Sequence, residues 1–256
     1  MNQVTRIALA FVVPAGLLIG WEAAGMMHAL PNYLPPPTQI GLAFVEISRT
    51  GELWQQSFTS LIRAAVGLAL GAVTGVVLGL LTGSFRPLRD LIEPLIIALN
   101  PIPKIALLPI FVIAFGLGNG SKFAIIGAAA FFPVYIATAD GMTSIPIRLI
   151  WVSRSMGAGT LRLLLQVCLP AILPAIFSGL RIATALSFIV LFAAELIGSK
   201  DGLGYLISTA ESGIRFDLVF VAIIAIGALG FVSDRLLLIL RHVVLRGQAS
   251  AKRSDL

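Results

Sequence analysis

The chain has 256 residues, of which 58% are hydrophobic and 12% are charged, and its formal net charge is +6. Because soluble domains carry about 25% charged residues, this composition excludes a chain surrounded by water and predicts one embedded in lipid. The basic residues are too scattered for a nucleic-acid footprint, so we expect no nucleic-acid partner. The single cysteine, Cys168, excludes an internal disulfide.

Six apolar stretches are each about as long as the 20 residues that a helix needs to cross hydrocarbon. They lie at residues 7–27, 61–83, 94–117, 122–141, 173–198 and 218–240. The first has no small-residue cleavage pattern at its end, which predicts a retained span. Runs of this length do not show barrel alternation. We therefore predict an all-α polytopic membrane protein with about six transmembrane helices, in one domain over residues 1–256.

The lysines and arginines predict which side of the membrane each loop faces. With the N-terminus in the cytoplasm, the inner segments hold ten basic residues, the outer segments hold four, and four more lie within or at the ends of spans. Since an excess of basic residues marks the cytoplasmic side, we expect both termini to be cytoplasmic. The longest inner loop then covers residues 142–171.

The first outer segment covers residues 28–60. Its three consecutive prolines, Pro35, Pro36 and Pro37, prevent a helix and favour an extended connector. Residues 40–60 are then predicted to form a short amphipathic helix at the outer surface.

Five glycines recur at four-residue spacing in the second predicted span: Gly67, Gly71, Gly75, Gly79 and Gly83. Residues four apart share one helix face, so these glycines form a smooth stripe that another backbone can approach closely. The stripe packs either against another span of the same chain or across the axis of a dimer.

The third predicted span reads LNPIPKIALLPIFVIAFG and is interrupted by Pro101, Pro103 and Pro109. Prolines break or kink a helix, and broken backbone at membrane depth is tolerated only where it faces protein or a water-filled cavity. Lys104 lies among these prolines and either extends to the inner surface or lies near a translocation route. We expect these four residues to line or gate a path.

The fifth predicted span contains Arg181 and Glu195, which are about 21 Å apart along the helix axis and cannot pair within it. A carboxylate in an apolar run is a functional candidate, so Glu195 is also expected to line or gate the path. The alternative is a hydrogen bond that only holds helices together.

Several chemistries are excluded. The stretch GLGNGSK at 116–122 hints at a phosphate loop, but the four-residue gap before a Gly-Lys pair is missing. His28 and His242 have no metal-ligand spacing, and no Gly-x-Ser-x-Gly elbow occurs. We expect no catalytic residue, no metal and no cofactor in this chain.

The inner loop continues into SRSMGAGTLRLLLQVCLPAILPAIFSGLRI at 153–182. Gly157 permits a turn, and Thr160 can cap a short helix. An apolar face at i, i+3 and i+4 spacing follows, made by Leu161, Leu164 and Leu165. Such a helix either docks in a groove of a soluble partner or lies on the bilayer surface, held by arginines.

Four stretches carry a family resemblance: GELW at 51–54, NPIPKIALLPIFVIAFG at 100–116, LPAILPAIFSGLR at 169–181 and AELIGSKDGLGYLI at 194–207. Together they resemble the permeases of binding-protein-dependent ABC importers, in the nitrate, sulfonate and taurine (MetI-like) branch. Gly157 and Leu169-Pro170 match the cytoplasmic signature of that family. Its Glu-Ala-Ala positions fall on Trp151, Val152 and Ser153, where this chain departs from the signature.

The resemblance implies a permease subunit in the inner (plasma) membrane that imports a small solute by alternating access and is not itself an enzyme. The implied solute is a sulfonate, taurine, nitrate or a similar oxyanion, and the alternatives are a vitamin precursor or an aromatic acid. The implied partners are two cytoplasmic ATPase subunits that bind the ATP, a second permease copy, an extracytoplasmic solute-binding protein and the lipid bilayer. An ATP-independent channel or secondary carrier is a rival hypothesis.

The resemblance also implies that residues 154–165 form a coupling helix, which transmits closure of the ATPase to the spans. The coupling residues implied are Arg154, Gly157, Ala158, Leu161, Arg162, Leu164, Leu165 and Pro170.

Overall fold

A computed structural model describes the backbone of residues 3–27 and 29–251 and the side chains of residues 12–27 and 29–245. All regular elements in these ranges are helical. In chain order they are α1 (Gln3–Met26), α2 (Pro37–Arg49), α3 (Glu52–Ser84), α4 (Arg86–Leu99), a 3-10 turn (Lys104–Leu107), α5 (Leu108–Phe115), α6 (Asn119–Thr143), α7 (Ile147–Ser155), α8 (Thr160–Leu163), a π turn (Leu164–Cys168), α9 (Leu169–Gly198), α10 (Leu203–Ser212) and α11 (Phe216–Ala251). His28 lies outside the described residues, as do the side chains of four basic residues counted for the inner segments, Arg6, Arg246, Lys252 and Arg253.

Four helical stretches are long and apolar enough to cross a membrane: α3, α6, the continuous helix Thr160–Gly198, and α11 as far as Leu245. The pair α4 and α5 is a fifth candidate, bent by 96° between its two arms. The part of α1 whose side chains are described, Val12–Met26, is a shorter apolar helix. The all-α polytopic class is therefore confirmed, and the third predicted span is broken at its prolines.

The predicted helix over residues 40–60 is wrong. The amphipathic helix α2 ends at Arg49, and the long helix α3 begins at Glu52. Gly51 lies between them with a φ of 81°, a left-handed conformation that a glycine adopts without strain. The chain therefore turns here, and residues 52–60 belong to a spanning helix.

The glycine stripe of α3 faces α6 of the same chain. A Cβ atom added at any of the five glycines would come within 3.0 Å of α6. The contacts advance together along both helices, from Gly67 against Ile126 to Gly83 against Met142. The two helices therefore run parallel and in backbone contact. Along the chain, the broken pair α4 and α5 leads from the end of α3 back to the start of α6.

Replacing Gly71 with valine is expected to destabilise the chain by about 1–3 kcal/mol, the usual cost of overpacking a tight contact. The added side chain would meet the backbone of Gly127 and Phe131, which cannot rotate away. Thermal unfolding in detergent measures the effect. Gly227→Val on α11 is the matched control, since a Cβ atom at Gly227 meets nothing within 4 Å. Equal unfolding temperatures of the two variants would contradict the close packing of α3 on α6.

Two ends of the helix bundle can be distinguished. We name the end that contains Asn119, the first residue of α6, the outer end, following the predicted orientation. The opposite, inner end contains a buried apolar cluster made by Met142, Leu163, Cys168, Ile172 and Ile176. This cluster joins α6, α8, the π turn and α9, so it fixes the segment after α6 to the spanning helices.

Candidate functional site

The segment after α6 forms two short helices joined by a tight turn. Helix α7 ends at Ser155 and α8 begins at Thr160. Gly157 in the turn has a φ of 80°, and a Cβ atom added there would meet nothing within 4 Å. The glycine is therefore needed for its left-handed backbone and not for space, since other L-residues are strained in this conformation.

The predicted apolar face of this segment is divided between two surfaces. Leu161 and Leu165 are 70% and 52% exposed, whereas Leu164 packs against the inner buried cluster. The reason is that α8 has only four residues and is followed by a π turn, so regular i, i+3, i+4 geometry does not hold. Met156 and Trp151, 81% and 61% exposed, enlarge the outward apolar surface. We name Trp151, Met156, Leu161 and Leu165 the inner apolar patch.

The remaining residues of the predicted coupling set lie around this patch. Arg154 and Arg162 are exposed, and Arg162 Nε donates to Gln166 Oε1 at 2.9 Å. Ala158 is half-buried in the turn. Pro170 is half-buried and is the second residue of α9, directly after the π turn.

Helices α8 and α9 and the π turn between them form one continuous helix of 39 residues, Thr160–Gly198. A force on Leu161 or Leu165 is therefore applied directly to one end of a spanning helix. The π turn widens the helix at the junction, and such turns are common at functional sites.

The side chain of Lys104 binds backbone carbonyls at the break in the third predicted span. Its Nζ donates to the carbonyls of Leu99 at 2.9 Å, Asn100 at 2.9 Å and Ile102 at 3.0 Å. Pro103 has no N–H to give to the carbonyl of Leu99, so the ammonium replaces a missing helical donor. All three N–H groups of Lys104 are thus used. The Nζ atom also lies 3.9 Å from the ring centroid of Phe132 on α6, which ties the break to the next span.

The three prolines of this span have different positions. Pro101 and Pro103 are exposed residues of the break between α4 and the 3-10 turn, whereas Pro109 lies in the first turn of α5, where proline is tolerated. Pro101 and Pro103 therefore end one helix, and Pro109 helps to start the next.

Replacing Lys104 with methionine is expected to lower the stability by about 2–4 kcal/mol, because carbonyls at membrane depth lose charged donors. Lys104→Met should lower the unfolding temperature in detergent, and Lys200→Met is the control because Lys200 is exposed. If the two variants unfold at the same temperature, Lys104 does not close the break.

A buried ion pair joins three helices at the outer end. Arg63 of α3 and Glu195 of α9 are 3% and 1% exposed. Arg63 Nη1 donates to Glu195 Oε1 at 2.8 Å, and Ser60 Oγ donates to Glu195 Oε2 at 2.7 Å. The N–H of Gly204, in the first turn of α10, donates to Glu195 Oε2 at 3.1 Å. Glu195 therefore has partners from α3 and α10 while it belongs to α9.

The loop between α9 and α10 is bound to the same arginine. Arg63 Nη1 donates to the carbonyl of Asp201 at 2.9 Å, Nη2 donates to the Asp201 carboxylate, and Nε donates to Asn119 Oδ1 at 2.8 Å. Gly202 has a φ of 98°, and a Cβ atom there would collide with the Glu195 carboxylate. The loop therefore requires glycine at this position to lie over the ion pair.

The sequence predicts that Glu195 either lines the path or holds helices together, but it does not identify Arg63 as its partner. The available signal was the position of Arg63 within an apolar run, where a charge needs a partner. Arg181, the other arginine of the fifth predicted span, pairs instead with Asp234 of α11, with Nε 2.8 Å from Oδ1. Among the described residues, no group of three or more His, Cys, Asp or Glu side chains could hold a metal ion.

The fold and these sites define the class as a polytopic α-helical membrane protein with one broken span. An exposed inner segment continues into a spanning helix, and a buried ion pair holds the helices together at the outer end. The family described as "Binding-protein-dependent transport system inner membrane component" matches residues 67–245, and the chain belongs to it.

Similar protein sequences support the same family. The chain is 32% identical over 240 residues to the putative aliphatic sulfonates transport permease protein SsuC of Bacillus subtilis, covering 93% of this chain and 87% of that protein. It is 34% identical over 230 residues to the protein of the same name in Escherichia coli, covering 90% and 87%. It is 33% identical over 223 residues to the taurine transport system permease protein TauC of Escherichia coli, covering 85% and 81%.

Solved structures show the same fold. A structure of the MetNI methionine ABC transporter in an inward-facing conformation matches with a TM-score of 0.60. The match covers 78% of this chain and 99% of that chain, at 20% sequence identity. A second crystal form of the same transporter matches with a TM-score of 0.57.

Proposed function

We propose that this chain is the permease subunit of an ATP-driven importer that moves a small oxyanion solute inward by alternating access. The observation that carries the proposal is family membership over residues 67–245, together with an exposed apolar patch whose Leu161 and Leu165 lie on a helix that continues into a span. The patch supports contact with a separate protein, since Met156 and Leu161 lie at the end of the bundle where basic residues are concentrated.

The proposed partners follow from the same features. Two cytoplasmic ATPase subunits bind the ATP and dock on the inner apolar patch, with Gly157 and Pro170 shaping the segment. A second permease copy completes the path, and an extracytoplasmic binding protein delivers the solute. In this proposal the chain has no catalytic residue, no metal and no cofactor of its own, lies in the inner membrane and has both termini in the cytoplasm.

The proposed solute is an aliphatic sulfonate or taurine, with nitrate as a close chemical relative. The support comes from the relatives, whose names assign them aliphatic sulfonates and taurine. Pro101, Pro103, Lys104 and Pro109 of the broken span are proposed to lie beside the path. In this proposal Lys104 positions the break and does not bind the solute, because its three N–H groups are donated to carbonyls.

Uptake into proteoliposomes tests the proposal. The full chain is reconstituted with its ATPase subunits and binding protein, and uptake of labelled taurine, a short alkanesulfonate, nitrate and an aromatic acid is followed with and without ATP. We expect ATP-dependent accumulation of one of the sulfonates and none without the ATPase subunits. Uptake without ATP would instead identify a channel or secondary carrier, and ATP-dependent uptake of the aromatic acid alone would reassign the solute.

A further inference from the structure

A cavity of about 550 Å³ opens at the outer end, away from the inner apolar patch. Its walls come from the first turn of α6, from the loop between α9 and α10, and from α3. The lining residues that matter here are Arg63, Asn119, Lys122, Ser199, Lys200 and Asp201. The stretch GLGNGSK, which failed as a nucleotide loop, provides one of these walls.

The walls of the cavity carry more positive than negative charge. Three cations, Arg63, Lys122 and Lys200, line the cavity with one carboxylate, Asp201. Glu195 behind the wall is paired with Arg63, so one positive charge remains in excess. Arg63 and Lys122 are 3% and 1% exposed, so their charges are poorly screened by water. An excess of positive charge around a cavity favours an anionic ligand.

Both buried cations retain donor capacity. Lys122 Nζ donates to the carbonyls of Leu117 and Gly198, which leaves one of its three N–H groups without an acceptor among the described residues. Arg63 Nη2 donates one of its two N–H groups to Asp201 and has no second acceptor in the same part of the chain. Two charged donors can therefore still be used by a ligand.

A hydroxyl on the cavity wall also lacks a partner. Ser199 Oγ is buried and makes no hydrogen bond within the described residues. A buried polar atom without a partner costs free energy, which a ligand oxygen would remove. The first turn of α6 adds backbone donors, since Gly118 precedes the helix without a side-chain cap.

We propose that this cavity binds a small oxyanion group such as a sulfonate, sulfate or phosphate. Arg63, Lys122 and Ser199 donate to its oxygens, and Lys200 at the rim adds positive charge. The inference goes beyond the proposed function, because a binding site at the outer end requires neither ATP nor an ATPase. Such an oxyanion group can belong to a free solute or to the headgroup of an anionic lipid.

Equilibrium binding of ³⁵S-labelled sulfate tests the site. The full chain is placed in nanodiscs of phosphatidylcholine, without ATP or partner subunits. We expect saturable binding that Lys200→Glu weakens roughly several-fold, because the reversal changes the charge at the rim of the site by two units. Arg49→Glu is the matched control, an exposed cation at the same end that does not line the cavity. Ser199→Ala should weaken binding by several-fold, by roughly the value of one hydrogen bond.

The absence of saturable binding, or equal binding by the wild type and Lys200→Glu, would overturn the inference. Nanodiscs that contain phosphatidylglycerol distinguish the two sources of the oxyanion. If sulfate binding is lost there, a lipid headgroup occupies the site, and if it is unchanged, the site takes a free solute. Because ATP is absent throughout, a failure of ATP-driven uptake leaves this result unaffected.

Discussion

Replacing Glu195 with alanine is expected to destabilise the chain by about 3–5 kcal/mol, the largest stability effect that we predict for one residue. The substitution leaves Arg63 buried without its main charge partner, and it removes the acceptor of Ser60 and Gly204. Thermal unfolding of the purified chain in detergent measures the loss.

Two controls separate charge from packing in this experiment. Arg63→Met combined with Glu195→Met removes both charges and should recover much of the loss, since hydrophobic replacements of buried pairs are often neutral. Glu46→Gln removes a carboxylate that is 64% exposed and pairs with Arg215, so it should cost at most about 1 kcal/mol. If Glu195→Ala changes solute affinity and leaves the unfolding temperature unchanged, Glu195 is a path residue and does not hold the helices together.

Replacing Gly157 with tryptophan is expected to abolish ATP-driven uptake and transport-linked ATP hydrolysis while leaving membrane insertion intact. The turn tolerates volume, because nothing lies within 4 Å of an added Cβ atom, but the indole would cover the surface beside Met156 and Leu161. We expect a loss of about 100-fold, near the upper limit of coupling between two sites. Uptake and ATP hydrolysis are measured in the same proteoliposomes.

The control for Gly157→Trp is Gly51→Trp. Gly51 has a φ of 81°, close to the value of 80° at Gly157, and a Cβ atom there also meets nothing within 4 Å. The two variants therefore carry the same backbone strain at opposite ends of the bundle. Unchanged uptake by Gly157→Trp, or an equal loss by Gly51→Trp, would show that the segment does not couple ATP hydrolysis to transport.

Features that depend on one helix were predictable from the sequence. The lengths of the apolar runs predicted the four long spanning stretches and the broken pair, and the prolines at 101 and 103 predicted the break. The first predicted span, at residues 7–27, is described only as a shorter apolar helix, Val12–Met26. The glycine at 157 predicted a turn. Each follows from local backbone chemistry and needs no knowledge of neighbouring helices.

Features that depend on contacts between helices were not predictable. Glu195 is 132 residues from Arg63 along the chain, and no local pattern pairs them. The contact of Lys104 Nζ with the ring of Phe132 on α6 also joins separate elements, and no local pattern predicts it. Likewise, a regular helical pattern does not predict the π turn at the point where exposed Leu161 and Leu165 are separated from Leu164, which packs inside.

The cytoplasmic location of the inner apolar patch is the claim on which the coupling account depends, and accessible-thiol labelling tests it directly. Cys168 is 2% exposed and is the only cysteine of the chain, so Cys168→Ser provides the background for Met156→Cys. A membrane-impermeant thiol reagent is applied to right-side-out and inside-out vesicles, with Lys200→Cys as the outer control. We expect Met156→Cys to react only in inside-out vesicles and to be protected when the ATPase subunits are present. Labelling of Met156→Cys in right-side-out vesicles would contradict a cytoplasmic location of the patch.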